Sequence, residues 1–226
     1  MITHNITIES GTSKRLPTSG KYCDRDIIIT AEGGGGGGDD VIASILSGTI
    51  LEINNPSVTS LKSYGLSNLS QTTSIRLDNL TTTQTCAFRN DSALQSIYLP
   101  KLKTVGTYGF ADCDALTNVY VPELTAVTAY CFQSDGALET LDLPKVTSIA
   151  ANAFKDTALT TLILRSTSKK STLAAASALT NTPIAAGTGY IYVPSALVDE
   201  YKNYSNWVTY SSQIRAIEDY PEITGG

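Results

Sequence analysis

Leu94-Gln-Ser-Ile97-Tyr-Leu99-Pro100 returns as Leu116-Thr-Asn-Val119-Tyr-Val121-Pro122 and again as Leu138-Glu-Thr-Leu141-Asp-Leu143-Pro144, 22 residues apart each time. Each phrase is followed at a fixed offset by an apolar pair: Leu102 and Val105, Leu124 and Val127, Val146 and Ile149. Then comes a small residue with phenylalanine, as Gly109-Phe110, Cys131-Phe132 and Ala153-Phe154. A unit this short cannot bury an apolar face alone, so a repeat of this period predicts a stacked solenoid. Within the phrase, Ile97 and Leu99 alternate with Ser96 and Tyr98, the period of a strand with one buried face. Pro100 lacks an N–H and ends the pairing. Stacking such units gives a parallel sheet with about 4.8 Å per step. The crossover rule makes the superhelix right-handed.

Outward from this centre the pattern loosens. Ile75, Leu77, Leu80, Cys86, Ala87 and Phe88 keep the register; Ile53, Pro56, Val58, Leu61, Tyr64, Gly65 and Leu66 keep it less strictly. Leu159, Leu162 and Leu164 open a further unit with a longer, irregular second half. Tyr190-Ile-Tyr-Val-Pro194 repeats the strand phrase once more. Strands are therefore predicted near 51–54, 74–77, 96–99, 118–121, 140–143, 161–164 and 190–193.

The ends differ from the repeats. Residues 1–32 read as a small N-terminal β module, with strands at Ile6–Ile8 and Asp26–Thr30. Residues 33–38 are all glycine, the composition of a flexible linker. A phosphate loop would need Gly-Lys-Ser/Thr to follow, and Asp39-Asp40 follows instead. Residues 39–165 form the solenoid, opened by a cap helix with Val41, Ile42, Ile45 and Leu46 on one face. Residues 166–226 form the last irregular repeat and a C-terminal cap. There Ser195 is expected to cap a helix bearing Leu197, Val198 and Tyr201, with Trp207, Ile214 and Ile217 closing the open edge.

Composition excludes several function classes. The 226 residues carry a formal charge of -5 with both signs interspersed, whereas nucleic acid needs a basic stripe. No apolar run reaches membrane-span length, so membrane insertion is not expected. The start, Met1-Ile-Thr-His-Asn, is too polar for a secretory signal. Cys23, Cys86, Cys113 and Cys131 lack paired metal spacing, and the last three fit buried apolar roles. The only histidine is His4, so a histidine-activated nucleophile has no base within the repeats. Two carboxylate pairs remain, Asp112/Asp114 in a repeat turn and Asp199/Glu200 on a short helix. Both read as turn and surface residues. No catalytic residue, metal or cofactor is expected.

What remains is surface. One side chain per strand points away from the core: Asn54, Arg76, Tyr98, Tyr120, Asp142, Ile163 and Tyr192. Solenoids commonly bind through such a face, and tyrosine with arginine is a typical anchor pair. Arg76, Tyr98, Tyr120, Asp142 and Tyr192 are the candidate binding residues. The alternative is that stacked aromatics only support strand pairing.

The phrase Leu-x-x-Ile-x-Leu-Pro, the apolar pair and the Ala/Gly/Cys-Phe step resemble the BspA-like leucine-rich repeat family over roughly residues 50–165. Phe110-Ala-Asp-Cys113-Asp-Ala-Leu116 looks like that family's junction between units. The resemblance implies a mainly β leucine-rich repeat solenoid and a role in adhesion at bacterial surfaces or in bacteriophage particles. Leu16-Pro-Thr-Ser-Gly-Lys-Tyr-Cys23-Asp-Arg-Asp-Ile27 and the stretch Gly189 to Ile217 are similar to the flanks of phage-encoded structural proteins of gut bacteria. The first expectation is thus a non-enzymatic virion protein. Its N-terminal module would dock to other virion proteins, and its solenoid would hold a bacterial surface protein or glycan. A bacterial cell-surface adhesin and an intracellular scaffold or assembly protein are the alternatives. The sequence leaves oligomeric state open, a homo-oligomer included.

Overall fold

The computed structural model describes residues 52–224 apart from 55 and 57, together with the backbone of 6–7 and 30–31. The glycine run, the cap helix after it, His4, Cys23 and most of the N-terminal module lie outside the described residues. Of that module, β1 (Ile6–Thr7) pairs antiparallel with β2 (Thr30–Ala31), matching Thr7 to Thr30.

Each coil of the repeat region carries one strand on its main wall and most carry a second, shorter one. In chain order these are β3 (Glu52–Asn54), β4 (Ser60–Leu61), β5 (Ser74–Arg76), β6 (Thr82–Thr83) and β7 (Ser96–Tyr98). There follow β8 (Asn118–Tyr120), β9 (Ala126–Val127), β10 (Thr140–Asp142), β11 (Ser148–Ile149) and β12 (Thr161–Ile163). The last are β13 (Thr172–Leu173), β14 (Tyr190–Val193) and β15 (Ile214–Ala216).

All seven expected main strands form. They stack parallel and in register as β3-β5-β7-β8 and, after a break, β10-β12-β14-β15. Such ladders, one strand per repeat, are those of a repeat solenoid. The sequence reading missed the second line, β4-β6 and β9-β11-β13. The apolar pairs sit there: Leu61, Val127, Ile149 and Leu173 are buried. β15 was likewise not expected as a strand; it continues the main ladder, pairing Tyr192 with Arg215.

A third line of contact joins the turns. The N–H groups of Phe88, Phe110 and Phe132 donate to Gly109, Cys131 and Ala153 at 2.8, 2.9 and 2.8 Å, one coil onward. Two residues per turn adopt left-handed backbone. Tyr64, Cys86, Tyr108, Tyr130 and Asn152 are one set; Asn68, Asn90, Asp112, Ser134 and Asp156 are the other. The second set is mostly Asn and Asp, which tolerate this region through local hydrogen bonds. Tyrosine has no such aid, so the interlocked turns hold it there.

Translation of one coil onto the next stacks like on like. Phe88, Phe110, Phe132 and Phe154 are fully buried. Their ring centroids lie 5.2, 5.0 and 5.8 Å apart along the stack. Cys86, Cys113 and Cys131 are buried free thiols.

At the C-terminal end, Tyr201, Trp207 and Tyr210 close the core. The Ser171 N–H donates to Tyr201 Oη, and Trp207 Nε1 donates to the Ser171 carbonyl, both at 2.7 Å. Asn206 Nδ2 donates to the Leu173 carbonyl at 2.9 Å. Side chains thus satisfy backbone groups that another coil would otherwise meet. The expected helix is built in two parts: a 3₁₀ turn at Ser195–Leu197 leads into α1 (Val198–Lys202). Ser195 gives no side-chain cap; its N–H donates instead to Glu218 Oε2 at 2.8 Å.

Two predictions follow from the core. Phe110→Ala removes a ring with neighbours on both faces and should cost about 3–5 kcal/mol; denaturant unfolding of the variant measures it, and an unchanged midpoint would refute the stacking. The second concerns Asp135, which is fully buried. Its Oδ1 accepts the Cys113 N–H at 2.9 Å, and its Oδ2 accepts no hydrogen bond among the described residues. Burial first, then the charges of Asp112 and Asp114, push its carboxyl well above the usual range against the Cys113 N–H. A group with a raised folded pKa favours folding below its unfolded value, near 4, and loses that contribution as pH rises through the folded value. Asp135→Asn keeps the acceptor for Cys113 and removes the titration. The variant should gain melting temperature over the parent progressively as pH is raised; parallel curves would exclude this.

Candidate functional site

Strand alternation builds the site. Ile53, Ile75 and Ile97 point into the core, and the next residue of each strand points out. Pairing aligns Asn54, Arg76, Tyr98 and Tyr120 on successive strands. The Tyr98 and Tyr120 rings stack at 4.7 Å with 8° between their planes. Arg76 Cζ lies 4.1 Å from the Tyr98 ring centroid, so a cation closes one end of the stack. The same guanidinium pairs with Asp78 Oδ1 at 2.9 Å. Tyr120 ends the stack and is 48% exposed; among the described residues no ring covers its other side.

The rest of the expected face is altered by tertiary contacts. Asp142 is half-buried, and Arg165 Nε donates to its two oxygens at 3.0 and 2.8 Å. Its charge is thus matched within the chain. Tyr192 and Ile163 are buried rather than exposed, at 7% and 5%. The chain after β15 turns through a 3₁₀ turn at Ile217–Asp219 into α2 (Pro221–Thr224) and lies over them. Ile217, Tyr220 and Ile223 pack on this pair. Tyr220 meets Tyr192 edge-on at 5.1 Å. Burial, with Tyr220 second, pushes the Tyr192 phenol upward. The open candidates are therefore Arg76, Tyr98 and Tyr120.

A second aromatic stack, on the turns, escaped the sequence reading. Tyr108 and Tyr130 lie 4.6 Å apart with planes 5° from parallel. Arg89 sits over Tyr108 at 4.9 Å and pairs with Asp112 Oδ2 at 2.8 Å. The hydrogen bond to Asp112 holds the Arg89 guanidinium above its ordinary value. The visible signal was the 22-residue spacing of two tyrosines, but nothing local told that they shared a side.

One member of each carboxylate pair is matched by a cation. Asp112 is held by Arg89 and Glu200 by Lys170. No group of three His, Cys, Asp or Glu among the described residues is arranged to hold a metal ion. No helix among them is long and apolar enough to cross a membrane.

Comparison with known proteins places this geometry. No curated protein matches the chain. Among solved structures, a leucine rich cell surface protein from Faecalibacterium prausnitzii is 19% identical with a TM-score of 0.37, over 70% of this chain and 43% of that one. A leucine-rich repeat protein from Bacteroides ovatus is 14% identical with a TM-score of 0.29, over 75% of this chain and 61% of that one. The chain thus spans less than half of the first protein. The BspA type leucine rich repeat region matches residues 59–177 in six copies. That match covers more than half of the sequence and the same coils whose strands and phenylalanines stack in register, and the chain belongs to the BspA type leucine-rich repeat family.

Proposed function

We propose that this chain is a non-enzymatic binding protein whose solenoid holds a partner on the open part of its main strand wall. The observation that carries this reading is the Arg76-Tyr98-Tyr120 stack: ordered rings on a strand wall, one end cationic and the other exposed. Tyrosine offers apolar area with a hydrogen-bonding tip, and stacking has already restricted its rotamers, so little further entropy is lost on binding. The partner class is a protein or glycan of a bacterial or host surface.

Two placements suit this role. The resemblance of residues 16–27 and 189–217 to phage structural proteins supports a virion component docked to other virion proteins through residues 1–32. Family membership supports an adhesin at the bacterial cell surface. Antibody labelling of intact cells and of purified particles separates the two.

Replacing Tyr98 and Tyr120 together by Ser tests the face itself. The variant should stay folded, losing about 1–2 kcal/mol with the stacked pair, and should lose attachment to cells or particles that the parent binds. Attachment at parental strength by the folded variant would move recognition elsewhere, first to the Tyr108-Tyr130 side.

A further inference from the structure

The main strand wall already holds one peptide segment, the chain's own. Ile217, Tyr220 and Ile223 recur at every third residue, with Glu218, Asp219 and Glu222 between them. The 3₁₀ turn at Ile217–Asp219, the extended Tyr220 and α2 together bring these three residues onto one apolar side of the segment. Its apolar side covers Ile163 and Tyr192, which stand on the wall in line with Asp142. Polar contacts fix the ends: Arg165 Nη2 donates to the Ile223 carbonyl at 2.7 Å, and Glu218 accepts from the Ser195 N–H. Arg215, the next outward position, lies over Tyr190 at 4.6 Å.

The open part of the wall repeats this chemistry with no covering segment among the described residues. Arg76, Tyr98 and Tyr120 present the same combination of guanidinium and tyrosine at the same outward strand positions. Only one side of the Arg76 guanidinium faces Tyr98, and its side chain remains 49% exposed beside Asp78. A guanidinium has five N–H donors, so the ion pair with Asp78 leaves others for a ligand carbonyl or carboxylate.

We infer that the open wall takes a short segment of a partner protein, with an apolar or aromatic residue at every third position, as the chain's own C-terminal segment lies on the covered wall. This rests on the binding role proposed above and narrows its ligand to a peptide. The partner's apolar side lies on Tyr98 and Tyr120, and one of its carbonyls meets Arg76, as the Ile223 carbonyl meets Arg165.

The probe is a blocked synthetic peptide copying residues 216–224, titrated into the isotope-labelled full chain. Signals of Tyr98 and Tyr120 should shift and saturate. Binding should weaken roughly tenfold or more in the Tyr98→Ser/Tyr120→Ser variant, and likewise for a peptide carrying Tyr220→Ser. Absence of shifts at Tyr98 and Tyr120 overturns the inference. So do shifts confined to Ile163 and Tyr192, which would mean that the peptide only replaces the chain's own segment. Sedimentation of the full chain should show a monomer; a dimer dissolved by the peptide would assign the wall to a second copy and overturn a separate partner. Failure here is distinct from failure of the binding role. If the double variant loses cell or particle attachment while the peptide leaves both tyrosines untouched, the wall binds another ligand class and only this inference falls. If the peptide binds at Tyr120 and the variant still attaches, the peptide chemistry stands and the binding role falls.

Discussion

Every coil of this protein depends on the next one for its backbone partners. A coil carries strands of only two or three residues along most of its length, too short to persist alone. N–H groups on the main wall, the second wall and the turn find carbonyls one repeat away, as Leu99 with Tyr120, Thr81 with Thr59 and Phe110 with Cys131. This translational constraint also decides which side chains each position tolerates. A residue type repeated at one position is set about 4.8 Å from its own kind. Aromatic rings gain from that, as the Phe88 to Phe154 column and both tyrosine pairs do. Carboxylates do not. At the buried position three residues after each phenylalanine the chain has Asp91, Cys113, Asp135 and Thr157, so the two acids are kept two steps apart by a thiol. On the surface, charges pair with their opposites on a neighbouring coil, as Arg89 with Asp112 and Lys145 with Glu123.

Much of this was legible because repetition multiplies weak local signals. The main strands, the phenylalanine column and the buried cysteines were read from a 22-residue spacing and period-two alternation. The second line of strands was not, since two residues such as Ala126 and Val127 contain no alternation to detect. Left-handed Tyr108 and Tyr130 were also hidden, because tyrosine gives no propensity signal for that conformation; the turn stack imposes it.

The candidate face was half legible for a related reason. Strand parity aligns Arg76, Tyr98 and Tyr120 on one set of paired strands and Asp142 and Tyr192 on another, but parity says nothing about what arrives from elsewhere in the chain. The arrival is the segment from Ile217 to Ile223, which buries Tyr192. Its apolar and acidic alternation at a period of three was present in the sequence. The sequence could not tell where that side would dock, since the contact between Arg165 and Ile223 spans 58 residues.

The boundary between the covered and open parts of the wall coincides with the break between β8 and β10. The coil at that break has Val119 and Val121 inward, where its neighbours have Ile97 with Leu99 and Leu141 with Leu143. Each valine is one methylene smaller, and Val119 is only partly buried, unlike Ile97 and Leu141. Beyond the break the outward position changes from tyrosine to Asp142, whose charge turns to Arg165 rather than to the wall. Tyrosine stacking and main-wall strand pairing therefore stop at the same coil. Tyr120 is exposed because its column ends there, and an aromatic column presents a free ring only at its end. The free tyrosine ring is thus set by where the repeat loses its regularity on the main wall, while the phenylalanine column runs on through the same coil.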